Sequence, residues 1–212
     1  MLVCSPPSSY VTKVGRLEPG TMVHKAMAEK TIYLAGPDVF LPDAVAIGRR
    51  KQQLCRDYGF EGLFPLDKDK ETEADATKIF RANCDLMRRA NIGMFNLTPF
   101  RGPSADVGTA FEVAFMFAAG KPLFGYASVT TDYYDRVAAT FGPITRRDGQ
   151  LFDQMDCVVE NFNLYDNLMI ARAIEDSGGV LVRVDENDSR GPSLAALKAF
   201  QAGLEVARSQ LR

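Results

Sequence analysis

The segment that most constrains the fold is Asn91-Ile92-Gly93-Met94-Phe95-Asn96-Leu97, a short and nearly unbroken apolar run. It lacks the polar–apolar alternation of a strand with one wet face. A strand of this kind is buried on both sides, as happens in a parallel sheet covered by helices above and below. The rest of the chain reads consistently with that. Thr31-Ile32-Tyr33-Leu34-Ala35 is a β-branched and aromatic strand stopped by Gly36-Pro37. A helix follows from about Asp43 to Tyr58 and ends at Gly59, then a second strand spans Phe60–Pro65 and a charged loop spans 67–75. Ala76–Ala90 carries Ile79, Phe80, Asn83, Leu86 and Met87 at helical spacing. Pro122–Tyr126 is a fourth strand, Asn167–Ser177 a helix, Val180–Val184 a fifth strand and Ser193–Leu211 a closing helix. Residues 130–166 are polar and turn-rich, and no element is assigned there.

Strands alternating with helices predict an α/β fold: a doubly wound, flavodoxin-like, five-stranded parallel sheet with helices on both faces. Residues 30–212 form one domain. Residues 1–29, with Pro6-Pro7-Ser8-Ser9 and Glu18-Pro19-Gly20, read as a poorly ordered N-terminal extension. In doubly wound sheets ligands bind beyond the carboxyl ends of the strands, so the loops 36–42 and 98–106 are the ones to search.

Composition removes several classes of function. The net charge of −2, with basic residues scattered, points to neither nucleic acid nor an acidic membrane surface. No apolar run reaches the roughly 18 residues of a membrane span. The four cysteines form no Cys-x-x-Cys pair, which suits free thiols in a reducing compartment, and a cytoplasmic protein is expected. His24 is the only histidine, so a histidine-rich metal site is excluded and acid–base chemistry falls to carboxylates, tyrosine or a thiol. The Gly-x-Gly-x-x-Gly and Gly-x-x-x-x-Gly-Lys-Ser/Thr phosphate loops are both missing, so neither a dinucleotide oxidoreductase nor a P-loop phosphotransferase is expected.

One carboxylate stands out. Asp106 is a natural N-cap for an apolar helix running to Gly120, and Glu112 lies inside that helix. Thr109, Gly108, Phe115 and Met116 occupy the positions three and four residues away, so no local cation pairs with it. Burying such a charge unpaired costs several kcal/mol. Either Glu112 lies on a solvated stripe, or it is a reagent. Asp38, Asp85 and Asp106 are the other carboxylates at strand ends and helix starts. Two carboxylates in different environments can divide labour between nucleophile and acid. Phe40 is either a ring that stacks on a base or a core anchor.

The motifs Thr31-Ile32-Tyr33-Leu34-Ala35-Gly36-Pro37-Asp38-Val39-Phe40, Asn83-Cys84-Asp85-Leu86, Pro99-Phe100-Arg101-Gly102, Asp106-x-Gly108-Thr109-Ala110-Phe111-Glu112 and Asn167-Leu168-Met169 occur in that order. Together they resemble the nucleoside 2-deoxyribosyltransferase family over roughly residues 30–172. The resemblance implies a transfer of the 2-deoxyribosyl group between purine or pyrimidine bases, with retention and without metal or organic cofactor. It implies that Glu112 is the nucleophile, that Tyr33 holds and tunes it, and that Asp85 and Asp106 bind the base and relay its proton. Gly36, Phe40, Gly108, Asn167 and Met169 complete the implied substrate-binding set. Asn167 and Met169 are lent to the site of a neighbouring subunit, so a homo-oligomer acting on 2'-deoxynucleosides and free nucleobases is expected. The extension, the long 148–166 segment and the C-terminal Ser209-Gln210-Leu211-Arg212 depart from the family pattern. The alternative is an N-glycoside hydrolase of 2'-deoxynucleoside 5'-monophosphates using the same glutamate. Such relatives usually carry a serine where Asp106 stands here, and an aspartate repels phosphate.

Overall fold

The computed structural model describes residues 30–65, 75–188 and 191–211. The extension expected over 1–29, His24 and Cys4 lie outside the described residues. Strand β1 (Lys30–Ala35) is flanked on one side by β2 (Phe60–Leu63) and on the other by β3 (Ile92–Asn96). Beyond β3 lie β4 (Leu123–Ala127) and, at the far edge, Leu181–Arg183, which is β7 once the two short strands of the 142–162 segment are numbered. All pairings in this five-stranded sheet are parallel, with Ile32 opposite Ile92, Met94 opposite Phe124 and Tyr126 opposite Val182. The order 2-1-3-4-7 is that of a doubly wound, flavodoxin-like sheet, with its switch point between β1 and β3.

Side chains alternate across the sheet and divide the core in two. On one face, Tyr33, Ala35, Phe95 and Leu97 pack against three helices: α2 (Ala76–Arg89), α3 (Val107–Ala118) and α5 (Leu168–Asp176). On the other, Ile32, Leu34, Met94, Phe124 and Tyr126 pack against α1 (Ala44–Asp57) and α6 (Leu197–Gln210). Ile92, Met94, Phe95 and Leu97 are all essentially inaccessible, which is the double burial that the apolar run demands.

Most boundaries move by a residue or two, and the start of the closing helix by four. Asn91 precedes β3 because its side chain accepts from the backbone N–H of Thr31 at 2.9 Å. The closing helix starts at Leu197 rather than Ser193, since Ala196 has a left-handed backbone (φ 46°) that a helix cannot continue through. The unassigned 130–166 stretch holds α4 (Tyr133–Phe141) and an exposed hairpin of β5 (Thr145–Arg147) and β6 (Gln150–Phe152). A two-residue pairing of Asn187–Asp188 with Gly191–Pro192 precedes α6.

Candidate active site

Tyr33 points from the carboxyl half of β1 toward α3, where the alternation of the strand obliges it to go. It is fully buried, and its hydroxyl donates to Oε1 of Glu112 at 2.5 Å. Oε2 of Glu112 has no hydrogen-bond partner among the described residues, yet no partnerless side-chain oxygen there is sealed from solvent. One carboxylate oxygen is therefore tied to the scaffold and the other is free. Burial pushes the Glu112 carboxyl up to about 7. The Tyr33 hydrogen bond opposes that rise, while the charges of Asp106 and Asp38 add to it. The Tyr33 phenol is itself pushed far up by burial and by the adjacent Glu112, so it remains a donor.

Asp106 caps α3 as its sequence position suggests. Its Oδ2 accepts from the N–H of Thr109 at 3.0 Å and from the Thr109 hydroxyl at 3.4 Å, leaving Oδ1 without a partner among the described residues. Gly108 serves this cap: a Cβ there would stand 2.9 Å from Oδ2 of Asp106. Gly36 is required by close approach. It has φ 154°, and a Cβ on it would lie 2.3 Å from the Cβ of Asn96 and 2.7 Å from Oδ1 of Asp38. Phe40, in the 3-10 turn Pro37–Phe40, stacks on Phe100 with centroids 5.2 Å apart and planes 6° from parallel. The Arg101 guanidinium lies over both rings, joining the two strand-end loops.

The remaining expected residues stand apart from this group. Asp85 is on the solvent side of α2, with its side chain 68 % exposed and paired to Arg88 at 2.8 Å. Asn167 caps α5, accepting from the N–H of Met169 at 3.0 Å and donating to Glu160 at 3.0 Å. Met169 is 72 % exposed. The structure thus joins Tyr33 and Glu112 by a direct bond and sets Asp106 within electrostatic reach, while Asp85 and Met169 face outward and the part-buried Asn167 is engaged in capping α5.

Two buried ion pairs around the site were not anticipated. Lys51 on α1 donates to Oδ2 of Asp38 at 2.8 Å, both side chains being almost inaccessible. Arg136 on α4 pairs with Asp166 at 3.6 Å and donates to the carbonyls of Pro103, Thr131 and Tyr165. Asp166 accepts from the Ser104 hydroxyl, the N–H of Ala105 at 2.9 Å and the N–H of Asn167 at 2.8 Å. This second pair ties the loop before Asp106 to the loop before Asn167. Lys51 had a legible signal: Ala44, Ile47, Gly48, Lys51, Leu54 and Cys55 form the buried stripe of α1, with a lysine in its midst.

Removing the Tyr33 hydroxyl tests the central bond. In Tyr33→Phe the Glu112 carboxyl loses the interaction that favours its charged form, so its pKa rises further. The acidic limb of the kcat/KM profile is expected to move to higher pH, with a loss of about 10-fold or more at pH 7. An unmoved limb would show that the phenol does not tune this carboxylate.

Comparison with known proteins identifies the family. The sequence pattern of the nucleoside 2-deoxyribosyltransferases matches residues 32–169. An uncharacterized protein of Schizosaccharomyces pombe is 32% identical over 182 residues, covering 77% of this chain and 86% of that protein. A solved 2-desoxiribosyltransferase from Leishmania mexicana is 28% identical with a TM-score of 0.55, covering 83% of this chain and 97% of that one. A conserved protein from Enterococcus faecalis V583, 20% identical with a TM-score of 0.50 over 86% of this chain and 99% of its own, shares the fold. The match spans every element from β1 to the start of α5, and with it the buried Tyr33–Glu112 pair, so the chain belongs to the nucleoside 2-deoxyribosyltransferase family.

Proposed function

We propose that the protein transfers the 2-deoxyribosyl group from one nucleobase to another through a covalent ester on Glu112. The observation that carries this reading is the half-engaged carboxylate: Oε1 fixed by Tyr33, Oε2 open. Oε2 attacks the anomeric carbon as the glycosidic bond breaks, and the bonding pair leaves with the base nitrogen, which takes up a proton. We assign to Oδ1 of Asp106 the binding of the base edge and the passing of that proton; Asp85, exposed and paired to Arg88, stands outside this relay. A second base then attacks the same carbon, releasing the Glu112 carboxylate. Two inversions give net retention. Splitting the displacement into two steps lowers each barrier, and a poorly hydrated pocket favours the oxocarbenium-like sugar beside the carboxylate.

The outward-facing residues fit a site finished by a second copy of the chain. Val107, Phe80, Phe111 and Met169 leave large apolar side chains exposed, and a second copy seated there would meet Met169 at the α5 N-terminus that Asn167 caps. Among the described residues no helix is long and apolar enough to cross a membrane.

Incubation with deoxyadenosine, with and without cytosine, decides between transfer and hydrolysis. Deoxycytidine is expected only when cytosine is present, together with a deoxyribosyl adduct on the Glu112 peptide in a mass spectrum of trapped protein. Sugar released at the same rate in both tubes would make the protein a hydrolase.

A further inference from the structure

One buried ion pair grips three consecutive residues ahead of Asp106. The Pro103 carbonyl accepts from Nε of Arg136 at 2.7 Å, and the Ser104 hydroxyl donates to Oδ1 of Asp166. The N–H of Ala105 donates to Oδ2 of Asp166 at 2.9 Å. The neighbouring Tyr165 holds the other end of the same loop. Its hydroxyl donates to the Leu97 carbonyl at 3.1 Å, and the Arg136 guanidinium covers its ring. Between these two grips the loop reverses through Arg101, whose φ is 56°, and closes with the Phe100 N–H on the Ser104 carbonyl at 3.0 Å. Oδ1 of Asp166 also accepts from the N–H of Asn167 at 2.8 Å, and Oδ2 faces Arg136 at 3.6 Å. With both oxygens committed, Asp166 is no acid or base for a substrate. Taking such a pair out of water seldom adds stability over apolar residues of similar volume. Apolar residues, however, could not accept from Ser104 and Ala105, and so could not fix the direction in which the chain enters Asp106.

We propose that Asp166 is a positioning residue for the proton relay: by holding Ser104 and Ala105 it sets where Oδ1 of Asp106 stands against the nucleobase. This rests on the transferase reading of Glu112 and on the relay assigned to Asp106. On its far side Asp106 is fixed by its cap, with Oδ2 on the Thr109 N–H at 3.0 Å. Backbone held before the residue and one oxygen held after it leave the carboxylate a single orientation. Its Oδ1, which has no partner among the described residues, then meets the base already aimed. Release of the loop would let Asp106 shift, and a misplacement of about 1 Å slows an aligned transfer by about 100-fold. Attack on the sugar uses Glu112, which is held by Tyr33 on a different part of the scaffold. The step that needs Asp106 and the step that does not are therefore separable.

Two sugar donors test it. Deoxyadenosine must have its base protonated as the glycosidic bond breaks. A p-nitrophenyl 2-deoxyriboside needs no proton: its bonding pair leaves with the phenolate oxygen as Glu112 bonds to the anomeric carbon. In Asp166→Asn, whose single acceptor oxygen cannot serve both sides of the group, kcat/KM for deoxyadenosine is expected to fall about 10- to 100-fold. Release of p-nitrophenolate is expected to stay nearly unchanged. The double variant Arg136→Met with Asp166→Asn leaves no buried charge alone and decides the matter should the single variant fail to fold. It is expected to show the same selective loss even where its resistance to urea has recovered, which a merely structural role would not produce. An equal loss on both donors, or an unchanged rate with deoxyadenosine in a folded variant, overturns the proposal. Should the unaltered protein cleave neither donor, the reading of Glu112 fails and the proposal falls with it, a failure visible before any variant is made.

Discussion

Glu112→Gln is expected to lower sugar transfer by about 10⁴-fold or more, the scale seen when a covalent nucleophile is removed. The same change is expected to make the protein more stable at pH 8. The sign follows from the carboxyl's own equilibrium. Burial raises Glu112 from its ordinary 4.5 to about 7 in the folded chain, so folding favours the protonated form. Its favourable contribution is complete below about 4.5 and is lost as pH climbs through about 7. Above that, the wild-type chain carries a buried charge that the unfolded chain carries in water. Glutamine has no such charge. The gain at pH 8 is of the order of 2 kcal/mol after discounting for the part-buried setting, and it should vanish near pH 4. Urea denaturation of both proteins at the two pH values measures it. Equal stabilities at pH 8 would mean that Glu112 is well solvated, and the nucleophile assignment would lose its physical basis. The same midpoint predicts that kcat/KM of the wild type rises through about pH 7, as the attacking form is populated.

Arg136→Met is expected to cost about 3–5 kcal/mol in the same denaturation experiment, because one partner of a buried ion pair disappears and the other stays. Asp166 would keep its bonds to Ser104, Ala105 and Asn167, but the carbonyls of Pro103, Thr131 and Tyr165 would lose their donor. Burial already pushes the Asp166 carboxyl up against those stabilising contacts. Without the guanidinium, whose charge holds it down, it should rise further toward the protonated form. Adding Asp166→Asn to Arg136→Met should recover part of the loss, since the neutral amide no longer needs a countercharge. A single variant as stable as wild type would show that the two loops are held by packing alone.

The sheet was legible because burial on both faces leaves a plain mark, as in Ile92-Gly93-Met94-Phe95, and because Gly36-Pro37, Gly59 and Gly120 punctuate the elements around it. Glu112 was legible for a related reason: a carboxylate inside an apolar helix is out of place in one dimension as much as in three. Its bond to Tyr33 was suggested by the family likeness, since nothing local links residues 79 positions apart. Within the unassigned 130–166 stretch, the hairpin resisted reading because it is solvent-exposed and carries neither a buried stripe nor a strand's alternation. Arg136 and Asp166 were missed for a different cause. Each looks like a surface charge in sequence, and only the closing of two distant loops on one another buries them together. Lys51 was readable and overlooked, its long stem letting a cation lie within an apolar stripe.

The partition of the core has a consequence for how the molecule comes into being. The Tyr33–Glu112 bond lies on one side of the sheet and the Lys51–Tyr126 bond on the other, closing chain separations of 79 and 75 residues. Neither can form until parallel neighbours have been threaded through their crossovers, a slow route compared with local contacts. During synthesis from the N-terminus, β1 waits between β2 and β3 for a Glu112 not yet made. Enzymatic competence is then among the last properties that a refolding chain regains, and its recovery rate clocks the completion of the whole sheet.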